Sequence, residues 1–215
     1  FQVLLGMWTV TWLLKPIVVT AHLLGGMTIL ALLFWLSLDQ FFHGPAAPGT
    51  QDRLLPWAIV GVVVLALQIF LGGWTSANYA AVICPEFPTC RAGDWWPEPD
   101  FAEGFVFWRG LGVDYEGGVL DVRARTAAHL AHRVGAMVTV LVLFGVAARA
   151  LLRQGRSARV IGCVVLTLLG AQVGLGIANV LMVRPLAVAV AHNAVAALLL
   201  LSLTALLHAA TVRRR

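Results

Sequence analysis

The sequence predicts an all-α integral membrane protein, a helical bundle with five full transmembrane helices and a partial first one. Of the 215 residues, 60% are hydrophobic and only 12% are charged, and the mean hydropathy is +0.87. An average soluble domain has roughly 25% charged residues. Long apolar segments alternate with short clusters of charge or proline. Because about 20 apolar residues cross a bilayer, these segments predict membrane spans.

The first apolar segment is too short to span a membrane, and five longer segments follow it. Phe1 to Leu14 ends at Lys15-Pro16, a turn signal at a membrane surface. The predicted full spans are Ile17 to Leu38, Trp57 to Ala81, Thr126 to Leu152, Ala158 to Val183 and Leu186 to Val212. The chain opens without an initiator methionine or a signal-peptide pattern, so we expect further helices before Phe1.

Clusters of arginine predict which ends of the spans face the cytoplasm. The loop from Arg149 to Arg159 contains four arginines and no acid, and the chain ends in Arg213-Arg214-Arg215. Because cytoplasmic loops are enriched in Lys and Arg, we expect this loop and the C-terminus to be cytoplasmic. The pattern suits a bacterial plasma membrane, and a mitochondrial inner membrane is the less favoured alternative. These clusters indicate topology and predict no nucleic-acid partner.

The segment from Val82 to Arg125 is predicted to lie on the outer side, and it contains eight of the ten acidic residues. Cys84 and Cys90 lie within it as CPEFPTC. Because an oxidising compartment favours disulfides, we expect Cys84 to pair with Cys90. A metal pair or two free thiols are the alternatives. Cys163 is alone inside a span and is expected to be a small core residue.

The same outer segment is rich in aromatic residues. These are Trp95, Trp96, Phe101, Phe105, Phe107 and Trp108. Because amphipathic rings favour the headgroup level, the segment is predicted to lie on the membrane surface, with GFVFWRGLG as a short interfacial helix. A cap over a site that opens outward is the alternative.

The sequence also contains an internal repeat. Gln2 to Gly6 (QVLLG) is matched by Gln172 to Gly176 (QVGLG), and each glutamine lies twenty residues before a histidine, His22 or His192. Both copies place a basic residue followed by proline in between. A third copy, Gln68 to Gly72 (QIFLG), lies near the end of the span before the outer segment. The repeat predicts a duplicated four-helix-bundle architecture, with glycines where helices approach closely.

Histidines inside the spans are the candidate functional residues. The segment TAAHLAHRVGA places His129, His132 and Arg133 within a predicted span, with both histidines on one helical face. Ionisable groups in a membrane are energetically costly and therefore functional candidates. A neutral imidazole is a natural axial ligand for haem iron. A histidine hydrogen-bonded to a neighbouring helix is the alternative.

Depth in the membrane selects among the six histidines. His22, His132 and His192 follow the outer ends of their predicted spans by five or six residues. At about 1.5 Å per residue, they share a level roughly 8 to 10 Å below the outer surface. We therefore expect His132 and His192 to ligate one planar haem from two helices. His43 and His208 lie near the inner side and are not expected to be ligands.

The residues carry a resemblance to the haem A synthase family. The runs LGGWTSANYAAVICPEFPTC, WW followed by FWRGLG, AHLAHR and AHN resemble that family, as do LGMWTVTWLLKP and AHLLGG. The resemblance covers nearly the whole chain and implies eight spans in two four-helix halves. It divides the chain into 1–38, a remnant of the N-terminal half; 39–56, a cytoplasmic linker; and 57–215, the C-terminal haem-binding half with outer loop 82–125.

The resemblance implies an oxidoreductase that converts a methyl group of haem O into the formyl group of haem A. It implies that His132 and His192 bind haem b iron, that His22 is one ligand of the substrate haem, and that Arg133 contacts a haem propionate. The family's catalytic glutamate belongs to a Glu-x-x-His-Arg motif expected before Phe1. His129 stands where that glutamate would be and receives no catalytic role. The chain alone is therefore expected to bind haem without making haem A.

A second class of function shares the same histidine pair. A bis-histidine membrane cytochrome b would pass electrons without modifying haem. A transporter ranks third, because no charged substrate pathway is visible. The expected partners are the lipid bilayer, haem O and haem O synthase, while the electron donor and a homo-oligomeric state stay open.

Overall fold

The computed structural model describes residues 1–41, 54–152 and 156–211, and its regular secondary structure in these ranges is helical. The helices are α1 (Gln2–Thr11), α2 (Pro16–Phe41), α3 (Leu55–Ala77), α4 (Phe101–Gly104), α5 (Val122–Leu151), α6 (Arg156–Leu181) and α7 (Leu186–Thr211). Five of them, α2, α3, α5, α6 and α7, are long and apolar enough to cross a bilayer. The predicted fold class is confirmed: the chain is a multi-pass, all-α membrane protein.

Helix α5 begins at Val122, four residues before the predicted start. The Asp121 side chain caps it by accepting a hydrogen bond from Ala124 N at 2.8 Å, and Arg123 O accepts another from Asp100 N in the outer loop. The added turn therefore packs against the loop. From the sequence we expected His22, His132 and His192 to lie at nearly equal distances from the starts of their spans. Counted from the observed helix starts, these distances are not equal.

Four helices form a closed ring in the order α3, α5, α6, α7, so that α5 lies diagonally across from α7. Helix α2 packs on the outside of this ring against α3 and α7, and α1 packs on α2. We call the end of the ring that carries residues 78–121 the loop end. A histidine on α5 and one on α7 can therefore face each other only across the interior of the ring.

The apolar core of the ring lies away from the loop end. It extends from Ile69, Leu143, Leu169 and Leu199 towards the opposite ends of their helices. Within α6 no residue after Leu169 is fully buried, and within α7 none is before Ala196. The fully buried positions of these two helices thus lie in the halves away from the loop end.

The internal repeat extends to the backbone, because α1, α3 and α6 end in the same way. Positions are counted here from the repeat glutamine. In each copy, the amide at position +10 donates to the carbonyl at +6, the amide at +11 to the carbonyl at +8, and the amide at +12 to the carbonyl at +7. Those amides belong to Trp12, Leu13 and Leu14; Asn78, Tyr79 and Ala80; and Met182, Val183 and Arg184. The first and last copies also place two consecutive non-glycine residues at positive φ, between 50° and 59°. Such residues are uncommon, so the shared geometry is strong evidence of repetition.

Two expectations about individual segments are wrong. Cys163 is exposed on α6 because its neighbour Gly162 occupies the buried face, against Ala147 O. The segment GFVFWRGLG is not helical after its first residue; the short helix is α4, just before it, with Asp100 as its N-cap. Gly110 and Gly112 have φ values of +81° and +80°, which are incompatible with a right-handed helix.

Candidate functional site

His132 on α5 and His192 on α7 lie on diagonal helices of the ring, in the halves nearer its loop end. Both side chains are partly buried. The structure therefore places the two histidines that the sequence selected on opposite helices of one ring, towards the same end of the bundle.

His132 is held by the α3 copy of the repeat. Gln68 Nε2 lies 3.0 Å from His132 Nδ1 and also donates to His132 O at 3.1 Å. Four residues along α3, a Cβ placed on Gly72 would lie 3.2 Å from His132 Cε1. Since that is closer than the usual contact of about 3.5–4.0 Å, glycine lets the ring lie directly against the α3 backbone.

His192 is held by the α6 copy in the same manner. Gln172 Nε2 lies 3.2 Å from His192 Nε2, and a Cβ on Gly176 would lie 3.3 Å from His192 Cε1. The repeat is therefore a structural unit in which a glutamine contacts a histidine of an adjacent helix and a glycine, one turn later, accepts the edge of its ring. The sequence identified the repeat but not the contact between glutamine and histidine.

The α1 copy differs at one point. Gln2 Nε2 donates to the backbone oxygen of His22 at 2.6 Å rather than to its ring, while a Cβ on Gly6 would lie 3.0 Å from His22 Cε1. His22 Nδ1 is buried without a hydrogen-bond partner in the described part of the chain. No second histidine faces His22 on α1 or α2, because His22 is the only histidine of these two helices.

The ring nitrogens distinguish a metal ligand from a structural histidine. Gln68 contacts only Nδ1 of His132, and His192 Nδ1 is buried without a partner in the described ranges. Within the described residues, each ring thus has one nitrogen held by an amide and one without a partner, which is Nε2 in His132 and the buried Nδ1 in His192. An axial ligand needs one such nitrogen, and the other is commonly fixed by a neighbouring group. This arrangement fits iron ligation.

His129 is a structural histidine. Arg133 Nε can only donate, so its 2.9 Å bond makes His129 Nε2 an acceptor. His129 Nδ1 therefore carries the proton and donates to Ala80 O at 3.0 Å. Both nitrogens are occupied and the side chain is buried. The alternative of a histidine hydrogen-bonded to its surroundings, which the sequence left open, describes this residue.

Arg133 binds the disulfide loop. The predicted Cys84–Cys90 disulfide is confirmed. Arg133 Nη1 donates to Thr89 O at 2.8 Å and to Pro88 O at 3.3 Å, and Nη2 donates to Glu86 O at 2.6 Å and to Cys84 O at 3.3 Å. With the bond to His129, these contacts occupy all five guanidinium N–H groups. A propionate contact, as expected from the sequence, would require one of them to be released.

The Glu86 carboxylate closes the same loop from the inside. It accepts hydrogen bonds from the backbone amides of Gly93 and Ala92 and from the Thr89 hydroxyl, at 2.8–3.1 Å. These bonds, with that from Gly93 contributing most, hold the pKa of Glu86 below its ordinary value. The loop is thus fixed by a disulfide, the Glu86 carboxylate and the Arg133 guanidinium.

Lys15 joins the outer loop to the turn between α1 and α2. Its buried ammonium donates to Gly110 O and lies 3.2 Å from the centroid of a Trp108 ring. Burial lowers the pKa of Lys15. Trp12 packs edge-on against Trp108, and Tyr115 N donates to Leu13 O at 3.1 Å. The aromatic segment therefore covers the loop end, while Trp95, Trp96 and Trp108 remain exposed as a surface anchor requires.

His208 and His43 were not expected to be ligands. His208 is buried, and its Nε2 lies 2.7 Å from Asp39 Oδ1 on α2, with the Trp35 ring packed edge-on against it. This contact joins α7 to α2 at the end opposite the loop. His43 lies outside the described residues.

The fold and the site define a polytopic helical membrane protein that presents two amide-held histidines across the interior of a four-helix ring. The chain belongs to the COX15-CtaA family, described as cytochrome oxidase assembly protein, whose match covers residues 1–204.

Similar proteins include three bacterial relatives named heme A synthase. The protein of Shewanella oneidensis is 45% identical over 94% of this chain and 61% of its own length. That of Rhizorhabdus wittichii is 33% identical over 85% of this chain and 48% of its own length. That of Methylobacterium radiotolerans is 32% identical, with shares of 84% and 46%. The chain thus spans between about half and three-fifths of these relatives.

Proposed function

We propose that this chain contains the haem b site of a haem A synthase, an oxidoreductase that converts the methyl group of haem O into the formyl group of haem A. The family and the names of its relatives support the reaction. The observation that supports the site is the placement of His132 and His192 on diagonal helices of the ring, each with one ring nitrogen that has no partner among the described residues.

The donor set favours a porphyrin over a bare metal ion. The described residues contain no group of three His, Cys, Asp or Glu side chains able to hold an ion. A porphyrin supplies four nitrogens to its own iron, so two histidines would complete the donor set, and His132 and His192 would be those two. When bound, haem b supplies a one-electron redox centre. The protein holds the two rings and excludes water through the surrounding apolar helices.

His22 is the proposed ligand for haem O in the N-terminal half. Its ring packs on Gly6 as His192 packs on Gly176, and its buried Nδ1 has no partner in the described ranges. The family's catalytic glutamate has no counterpart at His129, which is fully hydrogen-bonded. We therefore propose that 57–215 forms the haem b half, that 1–38 belongs to the substrate half, with 39–56 as the linker between them, and that 1–215 alone makes no haem A.

We also propose a bacterial plasma-membrane location with a cytoplasmic C-terminus. The bacterial relatives support the membrane, and the arginines between α5 and α6 support the orientation. Haem O synthase is a natural partner, because it makes the substrate. Arg133 is proposed to hold the disulfide loop in place of a propionate, since all its donors are engaged there.

The test is the spectrum of the purified chain reconstituted with haem b. We expect a low-spin bis-histidine signal in electron paramagnetic resonance that is lost or converted to high spin in His132→Ala and in His192→Ala. His208→Ala is the matched control on α7, because His208 contacts Asp39 rather than the site. An unchanged low-spin signal in His192→Ala would overturn the assignment.

Activity is tested separately in a host that makes haem O and lacks its own synthase. Extracted haems are separated into B, O and A. Haem A that appears only when 1–215 is co-expressed with the preceding part of a relative supports the proposed division. Haem A made by 1–215 alone would show that the division is wrong, and no haem A in any combination would favour an electron-transferring cytochrome b.

A further inference from the structure

We propose that Gln68 and Gln172 are positioning residues, each holding the ring of one haem-ligating histidine through the nitrogen that does not bind iron. This inference rests on the proposed haem b site. It starts from two distances, 3.0 Å from Gln68 Nε2 to His132 Nδ1 and 3.2 Å from Gln172 Nε2 to His192 Nε2. Each glutamine lies one turn before the glycine on which the same ring rests.

An amide suits this task because it has both a donor and an acceptor. Oε1 of Gln68 and of Gln172 is buried without a partner in the described part of the chain. When one nitrogen of a neutral imidazole binds iron, the other carries the proton and needs an acceptor. Rotation of the glutamine side-chain amide by 180° places its C=O group against the ring where its N–H group was. The same side chain then holds the ring both before and after haem binds.

This rotation leaves the rest of the site intact. For Gln68 it gives up the bond to His132 O, a carbonyl within helix α5. Hydrogen bonding from an axial histidine to an outer acceptor raises the basicity of the ligand and lowers the potential of the metal. The glutamines should therefore set both the orientation of the rings and the midpoint potential of the haem.

The experiment replaces each glutamine by leucine and by glutamate in the haem-loaded chain. Leucine removes the hydrogen bond at similar size, and we expect haem affinity to fall roughly 10- to 100-fold, as for other outer contacts of metal ligands. The midpoint potential should rise in the leucine variants and fall in the glutamate variants, where a carboxylate is the stronger acceptor. The g-values of the low-spin signal should move in both.

Gln2 provides the matched control. It occupies the same place in the repeat but contacts the His22 backbone, so Gln2→Leu should leave the haem b signal and potential unchanged. Unchanged g-values, potential and affinity in Gln68→Leu and Gln172→Leu would overturn the inference. A wild-type chain with no bis-histidine signal would instead overturn the proposed function, so the two failures are distinguishable.

A second inference rests on a different observation, the side chain of Arg125. We propose that Arg125 binds a carboxylate of the porphyrin. It lies seven residues before His132 on α5, which places both on one face two turns apart, with Arg125 nearer the loop end. Its Nε is buried and lacks a hydrogen-bond partner, and it forms no ion pair with the acids of the described ranges.

A planar cofactor ligated by His132 would extend along this face, and its carboxylates need cationic or hydrogen-bonding partners when buried. The probe is haem b compared with its dimethyl ester, which has the same ring and no carboxylate charge. Wild-type protein should bind haem b more tightly than the ester, and Arg125→Leu should reduce that preference about tenfold. Arg123→Leu, whose exposed side chain bonds to Glu98 O, is the control and should retain the preference. Equal preferences in Arg125→Leu and wild type would overturn the proposal.

Discussion

Replacing Gly176 by alanine tests whether the contact between α6 and the His192 ring is necessary for the site. In a helix interior, alanine is favoured over glycine by roughly 0.5–1 kcal/mol. At Gly176 the added Cβ would lie 3.3 Å from His192 Cε1, so the ring must move by a few tenths of an ångström. At Gly174, on the same helix, an added Cβ meets no atom within 4 Å. Both substitutions gain the same helix propensity, but only Gly176→Ala disturbs the contact with the His192 ring.

We expect Gly174→Ala to stabilise the protein slightly and to leave the haem unchanged. Gly176→Ala should displace the ring, shift the low-spin g-values and lower haem affinity by about tenfold, which corresponds to ~1.4 kcal/mol. The assay combines haem titration, electron paramagnetic resonance and thermal unfolding of the haem-free protein. If both variants give the same g-values and affinity as wild type, the ring does not depend on close packing at Gly176, and the reasoning fails.

Three further predictions concern the disulfide loop. Thiol labelling of the denatured protein should modify only Cys163 until a reductant is added, whereas three reactive thiols beforehand would contradict the disulfide. Arg133→Leu removes charged hydrogen bonds that each contribute about 1.5–3 kcal/mol net, so the disulfide should be reduced at least tenfold faster than in wild type. An unchanged rate would refute the role of Arg133. Because hydrogen bonds hold the folded-state pKa of Glu86 below its ordinary value, its contribution to loop stability is present above that ordinary pKa and is lost as the pH falls through the folded pKa. Hydrogen exchange of the loop amides should therefore become faster, relative to its intrinsic rate, as the pH falls below that ordinary pKa, and Glu86→Gln should abolish that dependence.

The sequence predicted the spans well because length and apolar composition decide them almost alone. The five predicted spans correspond to α2, α3, α5, α6 and α7, with boundaries that differ by a few residues. The cysteine pair was predictable because its spacing and its expected compartment agree. Cys163 was misplaced because an apolar environment lies both inside a bundle and outside it, so hydropathy cannot tell which way a small residue faces.

The candidate site was only half predictable. His132 and His192 were selected by their position along apolar segments, and their ring nitrogens fit the proposed ligand role. The glutamine contacts were not foreseen, because a polar side chain on a helix gives no signal of which neighbouring helix it meets. Arg133 was predicted to contact a haem propionate, and its contacts with the disulfide loop were not foreseen. The loop carbonyls that it binds come from residues more than forty positions away in the sequence.

Helix α2 is tied at both ends to elements outside the α1–α2 pair. Lys15, just before its first residue, is held by the outer loop, and Asp39, near its last turn, is held by His208 on α7. These two contacts fix the position of α2 relative to the outer loop and to α7. His22 lies between them on α2, so cofactors ligated as proposed at His22 and in the four-helix ring would be held at a constant separation for electron transfer.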